Sequence, residues 1–273
     1  DNTMTAALRA YAAANQGNVI SPFIMAGAMS PVTQPALIAQ AHAEVMVGIA
    51  LTQLVRPGAP VVYGSFLTTM DLKSGAPTFG TPESTLATLA ISQLSRRLGL
   101  PFRCGGHLTA SKLADAQAMQ ESTNAMNPAI MAGANFIFQA AGWLESGLTI
   151  GYEKFVMDAE QCGALARVIQ GLEIDTDQLA VEAYREAGVG TNFLGVGHTM
   201  QHYRNANYRA DLCDASPFEQ WSEAGCKDMQ QRAFDRWNQL LREYQAPPID
   251  PAIDEALLDF IARKKDSMVD AWY

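Results

Sequence analysis

The feature that most constrains this chain is a strand-then-helix alternation that recurs at a spacing of about 35–40 residues. Short apolar segments at residues 18–25, 60–66, 100–104 and 134–140 show little polar alternation, as expected of strands buried on both faces of a parallel sheet. Helical patterns lie between them. Leu37, Ala41, Val45 and Ile49 repeat every four residues and so share one helix face, as do Leu86, Ala90, Leu94 and Leu98. Helix starts punctuate the pattern: Ser30-Pro31, Thr81-Pro82, Ser216-Pro217 and Asp250-Pro251 each set a capping side chain before proline. Proline suits the first helical position, because the N–H it lacks would have had no partner there. Ser216 with Glu219 also matches a capping box.

Further helices are predicted at 152–170 and 177–187, a last short strand at 192–194, and a terminal helical pair at 218–244 and 252–268, joined through Ala246-Pro247-Pro248. This makes four or five βα units and a helical tail. Eight units close a (β/α)8 barrel. The expected fold is therefore α/β, the C-terminal portion of a TIM barrel with a terminal helical extension. Residues 1–210 would supply the βα units, and 211–273 helices that pack on the barrel. An open doubly wound sheet fits the same periodicity, although its GxGxxG signal after a first strand is absent. The chain opens at Asp1 in a helix-like stretch without an initiator methionine, which fits the tail of a longer protein.

Composition narrows the function. A net charge of −9 with 17% charged residues argues against nucleic-acid binding, which needs a basic face to neutralise phosphates. No apolar run approaches the roughly 20 residues that span a bilayer, so no membrane partner is expected. Cys104, Cys162, Cys213 and Cys226 lie far apart with no CxxC pair, which points to free thiols and a cytoplasmic setting.

In α/β barrels chemistry gathers where strands end, so the loops there are the candidate site. They carry Ser21-Pro22-Phe23, then Gly64-Ser65-Phe66 leading to Asp71 and Lys73. Next come Gly105-Gly106-His107 running to Ser111, Lys112, Leu113, Ala114 and Asp115, and then Gln139 through Trp143, Glu145, Tyr152 and Glu153. Carboxylates interleaved with aromatic rings can hold a cation by charge and ring faces together. The same aromatics also serve as core packing, and the glycines as turns. Lys112 is a candidate Schiff-base nucleophile if burial lowers its pKa. His198 and His202 lie four apart on one helix face, but Thr199 stands where HExxH needs Glu and no carboxylate or cysteine is near in sequence. No metal site is therefore expected. Met25, Met29, Met46 and Met119 read as core fillers.

Several separated motifs resemble the trimethylamine methyltransferase family. They are residues 20–33 around Ser21-Pro22-Phe23 and Ser30-Pro31-Val32-Thr33, 53–61 around Arg56-Pro57-Gly58, and 74–83 with Ser74-Gly75-Ala76-Pro77 and Gly80-Thr81-Pro82-Glu83. Gly151-Tyr152-Glu153-Lys154-Phe155 and Ala246-Pro247-Pro248-Ile249-Asp250-Pro251 complete the set. The resemblance implies a TIM barrel longer than this chain, which moves a methyl group from a methylated amine to the Co(I) corrinoid of a cognate partner protein, with no cofactor tightly bound to the enzyme itself. It implies a substrate pocket drawn from Phe23, Phe66, His107, Gln139, Trp143, Glu145, Tyr152, Glu153 and Asn192, with no catalytic group needed beyond positioning. The trimethylamine enzymes use pyrrolysine; this chain has none, and the equivalent loop falls around Ser111, Lys112, Leu113 and Ala114. That departure resembles the non-pyrrolysine branch, which demethylates quaternary amines such as glycine betaine. Relatives often carry histidine where this chain has Gln139 and Asn192, which leaves the particular amine open. A non-catalytic betaine-binding relative and a Lys112 lyase are the competing expectations, and homo-oligomerisation stays open.

Overall fold

The structure, a computed structural model, describes residues 1–268. In chain order its elements are α1 (Asn2–Ala13), β1 (Asn18–Ile20), β2 (Phe23–Ala26), α2 (Gln34–Val55), β3 (Val61–Gly64), β4 (Phe66–Met70), β5 (Pro77–Thr78) and α3 (Pro82–Arg97). There follow β6 (Phe102–Gly105), α4 (Ala116–Met131), β7 (Phe136–Phe138), the short hairpin strands β8 (Trp143–Leu144) and β9 (Thr149–Ile150), and α5 (Tyr152–Gln170). Six helices close the described chain: α6 (Thr176–Leu179), α7 (Val181–Ala187), α8 (Gly197–His202), α9 (Phe218–Glu223), α10 (Met229–Glu243) and α11 (Pro251–Asp266).

The four predicted strands pair as one parallel sheet in the order β1-β3-β6-β7, with Val19 opposite Val62, Tyr63 opposite Phe102 and Cys104 opposite Ile137. Spatial order follows chain order without reversal. A doubly wound sheet reverses its order at a switch point, so among the described strands the winding is of the single-direction kind. The first two predicted strands are each broken in two. β1 bends at Ser21-Pro22 into β2, and β3 bends at Ser65 into β4; β2 and β4 pair in parallel, and β5 adds antiparallel to β4. Gly64 permits this bend, since a Cβ there would stand 2.5 Å from Ser21 Cβ and 2.7 Å from the Ile20 carbonyl oxygen.

The core joins the sheet to α2, α3 and α4. Leu37, Ala41, Val45 and Ile49 are buried as the four-residue spacing predicts, against Tyr63, Phe102 and Cys104. This helix corrects one expectation: α2, with 22 residues, is long and apolar enough to cross a membrane by length and composition. Here one of its faces packs on β1, β2 and β3.

On α3 the buried face is one residue away from the predicted stripe. Ala87, Ile91, Ser92 and Ser95 are buried, whereas Leu86 and Leu98 are exposed and Leu94 packs at the margin. The serines can be buried because each satisfies itself locally: Ser92 Oγ donates to Leu89 O at 2.8 Å and Ser95 Oγ to Leu100 O at 2.8 Å.

Two of the four proline-linked caps form as drawn. Thr81 Oγ1 accepts from Ser84 N and Asp250 Oδ1 from Ala252 N. The other two do not. α2 starts after Thr33, beyond Ser30-Pro31, and α9 starts after Pro217 with no side-chain cap, Ser216 being turned to Asp214 Oδ1. The strand predicted at 192–194 is absent; Asn192 Oδ1 instead accepts from Leu194 N in a turn. A three-residue segment with no neighbour to pair with has no ladder for its backbone groups. The helix predicted at 218–244 is interrupted, with Gly225 and Cys226 both at positive φ between α9 and α10. Met29 is exposed rather than a core filler.

The chain divides by contacts into a unit of Asp1–Trp237 and a unit of Asn238–Tyr273. Residues 211–237, grouped by the sequence with the terminal helices, fall in the first. Within it Leu212 and Ala233 join Ala114, Val156 and Met157 in a second small core. The second unit holds the end of α10 and all of α11, whose side chains are exposed and which carries an Arg263–Asp259 ion pair.

Candidate functional site

At the carboxyl ends of β1, β3, β6 and β7 the sheet holds one arginine. Phe102 and Cys104 of β6 turn into the helical core, so strand alternation sends Arg103 to the opposite face. There the guanidinium ties three chain segments together. Nη1 donates to Ser21 Oγ at 3.0 Å and to Ser65 O at 3.1 Å, and Nη2 donates to Gln139 Oε1 at 3.0 Å. Its carbon lies 4.6 Å from the Phe138 ring centre and 5.6 Å from that of Phe66. Phe66 in turn contacts Phe23 at 5.2 Å and stacks on Phe79 at 5.7 Å. Arg103 is 5% exposed, and burial lowers its pKa from the usual arginine value. Of five N–H donors three are used; Nε is buried without a partner. The Nε–H and one Nη2–H are left over, donors of the kind that a carboxylate accepts from.

Gln139 reaches Arg103 from a backbone in the left-handed region, at φ 51°, a conformation that has to be held by its surroundings. Two buried latches hold the turn that follows it. His107 Nδ1 lies 2.6 Å from Ala140 O, and Gly142 N donates to Asp158 Oδ2 at 2.8 Å. Asp158 is ion-paired to Lys154 one turn earlier on α5, and His107, Lys154 and Asp158 are all fully buried. Burial dominates their titration. It pushes the Asp158 carboxyl up to about 6 against the pull of Lys154, lowers the Lys154 ammonium, and takes the His107 imidazole down to about 4. His107 is therefore neutral at pH 7, its Nδ1–H directed to Ala140 O.

A third group of contacts joins the loop after β6 to the β8–β9 hairpin. Glu145 N donates to Ser111 O and Ser146 N to Thr109 O, each at 2.8 Å. Glu121 Oε2 braces this loop by accepting from Thr109 Oγ1 at 2.6 Å and Ala110 N at 2.8 Å. Ser146 Oγ reaches Pro77 O at 2.6 Å, which brings in the β4–β5 turn.

The structure thus brings Phe23, Phe66 and Gln139 together around Arg103, and sets Glu145 beside Ser111. Other predicted site residues are placed elsewhere. Tyr152 stacks on Trp237 at 5.0 Å, and Glu153 Oε1 accepts from Trp237 Nε1 at 2.9 Å, so both face α10. His107 is a buried latch, Trp143 pairs with Ile150 in the hairpin, Asn192 lies in an exposed turn, and Ala114 is in the small core. Leu113 is exposed, and so is Lys112, which donates to Ala110 O at 2.9 Å. A Schiff-base lysine relies on burial to shed its proton; exposed Lys112 has none, which removes the lyase expectation. Arg103 and the Lys154–Asp158 pair escaped the sequence analysis. Their signals were present: a lone arginine inside an apolar strand, and charges four apart among Phe155, Val156 and Met157.

A parallel α/β sheet wound in one direction, with a buried cation and aromatic rings where its strands end, is an α/β scaffold of the class whose ligand sites lie at strand ends. Comparison with known sequences makes this specific. The family model "Trimethylamine methyltransferase (MTTB)" matches residues 1–269, and the chain belongs to that family. It is 38% identical over 264 residues to a glycine betaine methyltransferase of Desulfitobacterium hafniense (strain Y51), covering 97% of this chain and 55% of the relative. It is 37% identical over 238 residues to the trimethylamine methyltransferase MttB of Methanosarcina barkeri, covering 86% of this chain and 47% of the relative. With MttB of Desulfitobacterium hafniense (strain DSM 10664 / DCB-2) the identity is 34% over 242 residues, 89% of this chain and 48% of the relative. The chain spans about half the length of these curated relatives.

Proposed function

We propose that this chain forms part of a methyltransferase that moves a methyl group from a betaine-like quaternary amine to the Co(I) corrinoid of a partner protein. Its sheet then supplies four strands of a (β/α)8 barrel, and the Arg103 cleft is the substrate pocket at the strand ends. The observation that carries the substrate class is the buried Arg103, with its Nε unpartnered. A simple methylammonium cation gains nothing beside a buried guanidinium. A zwitterion does, because its carboxylate takes the leftover guanidinium donors while its ammonium methyls rest on aromatic faces. Phe138 and Phe66 flank the guanidinium and Phe23 contacts Phe66, and both Phe23 and Phe138 are exposed.

The chemistry asks little more of the chain. The corrinoid is the methyl acceptor, and it brings the nucleophilic electron pair. One N–CH3 bond breaks, its electrons remain on nitrogen as a neutral tertiary amine, and the carbon bonds to the acceptor. No proton has to move, so neutral His107 and the Lys154–Asp158 pair serve to hold the 139–142 turn rather than to transfer protons. What the site contributes is orientation: a carboxylate fixed at one end aims a methyl at the acceptor from a constant direction.

The test mixes the full-length protein, Co(I) cobalamin and a panel of methylated amines, and follows the loss of Co(I) absorbance. Loss with glycine betaine or another carboxylated quaternary amine is expected. Calorimetric binding of such a compound without any loss would establish the non-catalytic betaine-binding relative instead. Loss with trimethylamine alone would overturn the substrate assignment.

A further inference from the structure

The helix pair His198 and His202 gains in the fold what it lacks in sequence. Asp177, from the first turn of α6, comes to lie against α8, and one ligand atom from each of Asp177, His198 and His202 falls within 4.8 Å of the others. Asp177 Oδ2 is 2.9 Å from His202 Nε2, and the two imidazole ring centres are 4.4 Å apart with the rings tilted by 39°. His198 Nε2 lies 3.0 Å from the Asp177 carbonyl oxygen. One detail separates this cluster from an ordinary hydrogen-bonded group. His202 Nε2 is sealed from solvent and close to a carboxylate oxygen, yet it has no partner with hydrogen-bond geometry. Two donor atoms at about 2.05 Å from one tetrahedral ion stand about 3.3 Å apart, so the pair at 2.9 Å has to open by only about 0.4 Å to take one.

We propose that Asp177, His198 and His202 form a binding site for a divalent transition-metal ion of the zinc class. Two imidazoles and a carboxylate are a donor set such ions prefer, and three protein ligands leave a position for water. On binding, His198 releases the Asp177 carbonyl and turns its ring nitrogen to the ion. The site's role follows from its place in the chain. Asp177 and His198 bracket α7 and residues 188–196, a stretch containing Gly188, Gly190 and Gly195 in which Val196 is buried while Val189 and Leu194 are fully or mostly exposed. A metal clip across such a loop favours the closed arrangement by removing its freedom to open. The ion is structural, remote in purpose from the Arg103 cleft.

The experiment uses full-length protein stripped with a chelator and dialysed, then titrated with Zn2+ in a calorimeter, with limited proteolysis of the 188–196 loop read in parallel. One Zn2+ per chain at this site and slower cleavage in the loop are expected. Losing an outer-sphere partner of a metal costs on the order of 10–100-fold in affinity, so His202→Ala and His198→Gln should each weaken binding by about 100-fold or more and abolish the protection. Asp177→Asn keeps the shape and should weaken it about tenfold or more. Circular dichroism of each metal-free variant checks that the fold is retained. Zn2+ binding that is unchanged in all three folded variants, or absent from the parent, overturns the proposal.

Discussion

Replacing Asp158 by Asn tests the buried ion pair that stands behind the candidate site. Asn keeps an oxygen to accept from Gly142 N, so the substitution removes charge and little else. It leaves the Lys154 ammonium fully buried with its ion-pair partner gone. Breaking a buried pair from one side costs about 3–5 kcal/mol, because the surviving charge loses its ion-pair partner. In a chain of this size each kcal/mol lowers Tm by about 2–4 °C, so a fall of roughly 6–20 °C is expected. The relief available is for Lys154 to shed its proton, which burial already favours. The loss should therefore be smaller at pH 9 than at pH 7. Lys154→Met removes the other charge; paired with Asp158→Asn it leaves two neutral groups, so the double variant should recover most of the loss, to within about 1–2 kcal/mol of the parent. Urea titrations of the four proteins by circular dichroism close the cycle. A loss below about 1 kcal/mol for Asp158→Asn, the range of surface ion pairs, would refute the reasoning, as would strict additivity in the double variant.

Three further perturbations follow from the same geometry. Arg103→Met should weaken binding of glycine betaine by about 100-fold, as expected for losing two charge-assisted hydrogen bonds worth about 2–3 kcal/mol together, while trimethylamine binding changes little. Calorimetry that shows equal losses for both ligands would sink the carboxylate assignment. His107, held near 4 against an ordinary 6.5, destabilises the fold as pH falls from 6.5 to 4, whereas Asp158, held near 6 against 3.8, has the opposite effect as pH falls from 6 to 3.8. The two nearly offset, so His107→Gln should become more stable relative to the parent on acidification, by up to about 3 kcal/mol at pH 4; denaturant midpoints that track the parent's at every pH would discount it. Gly80→Ala places a Cβ 2.3 Å from the Glu121 carbonyl oxygen at φ 66°, whereas Gly58→Ala at φ 83° meets nothing within 4 Å. The first should cost more than about 2 kcal/mol and the second about 1, and equal urea midpoints for the two would contradict the packing.

What the sequence determined by itself is local or periodic. The four strand positions, the Leu37–Ala41–Val45–Ile49 face and the Thr81 and Asp250 caps were legible because each depends on a repeat or on a side chain a few residues from its partner. The bends at Ser21 and Ser65 were not, since the clash relieved at Gly64 involves a strand about 43 residues away. On α3 the leucine spacing pointed one residue aside from the true face, because serines that bond their own backbone could be buried more closely than leucines. Nor did sequence separate loop residues that line the cleft from those that do not: Phe66 and Gln139 meet Arg103, while Tyr152 and Glu153 turn to Trp237, about 84 positions on. Arg103 becomes central only when three segments converge on its guanidinium, and Asp177 joins His198 and His202 only when α6 folds back on α8. Charge and hydrogen bonding act through space over a few ångströms, and only the tertiary fold decides which residues those ångströms contain.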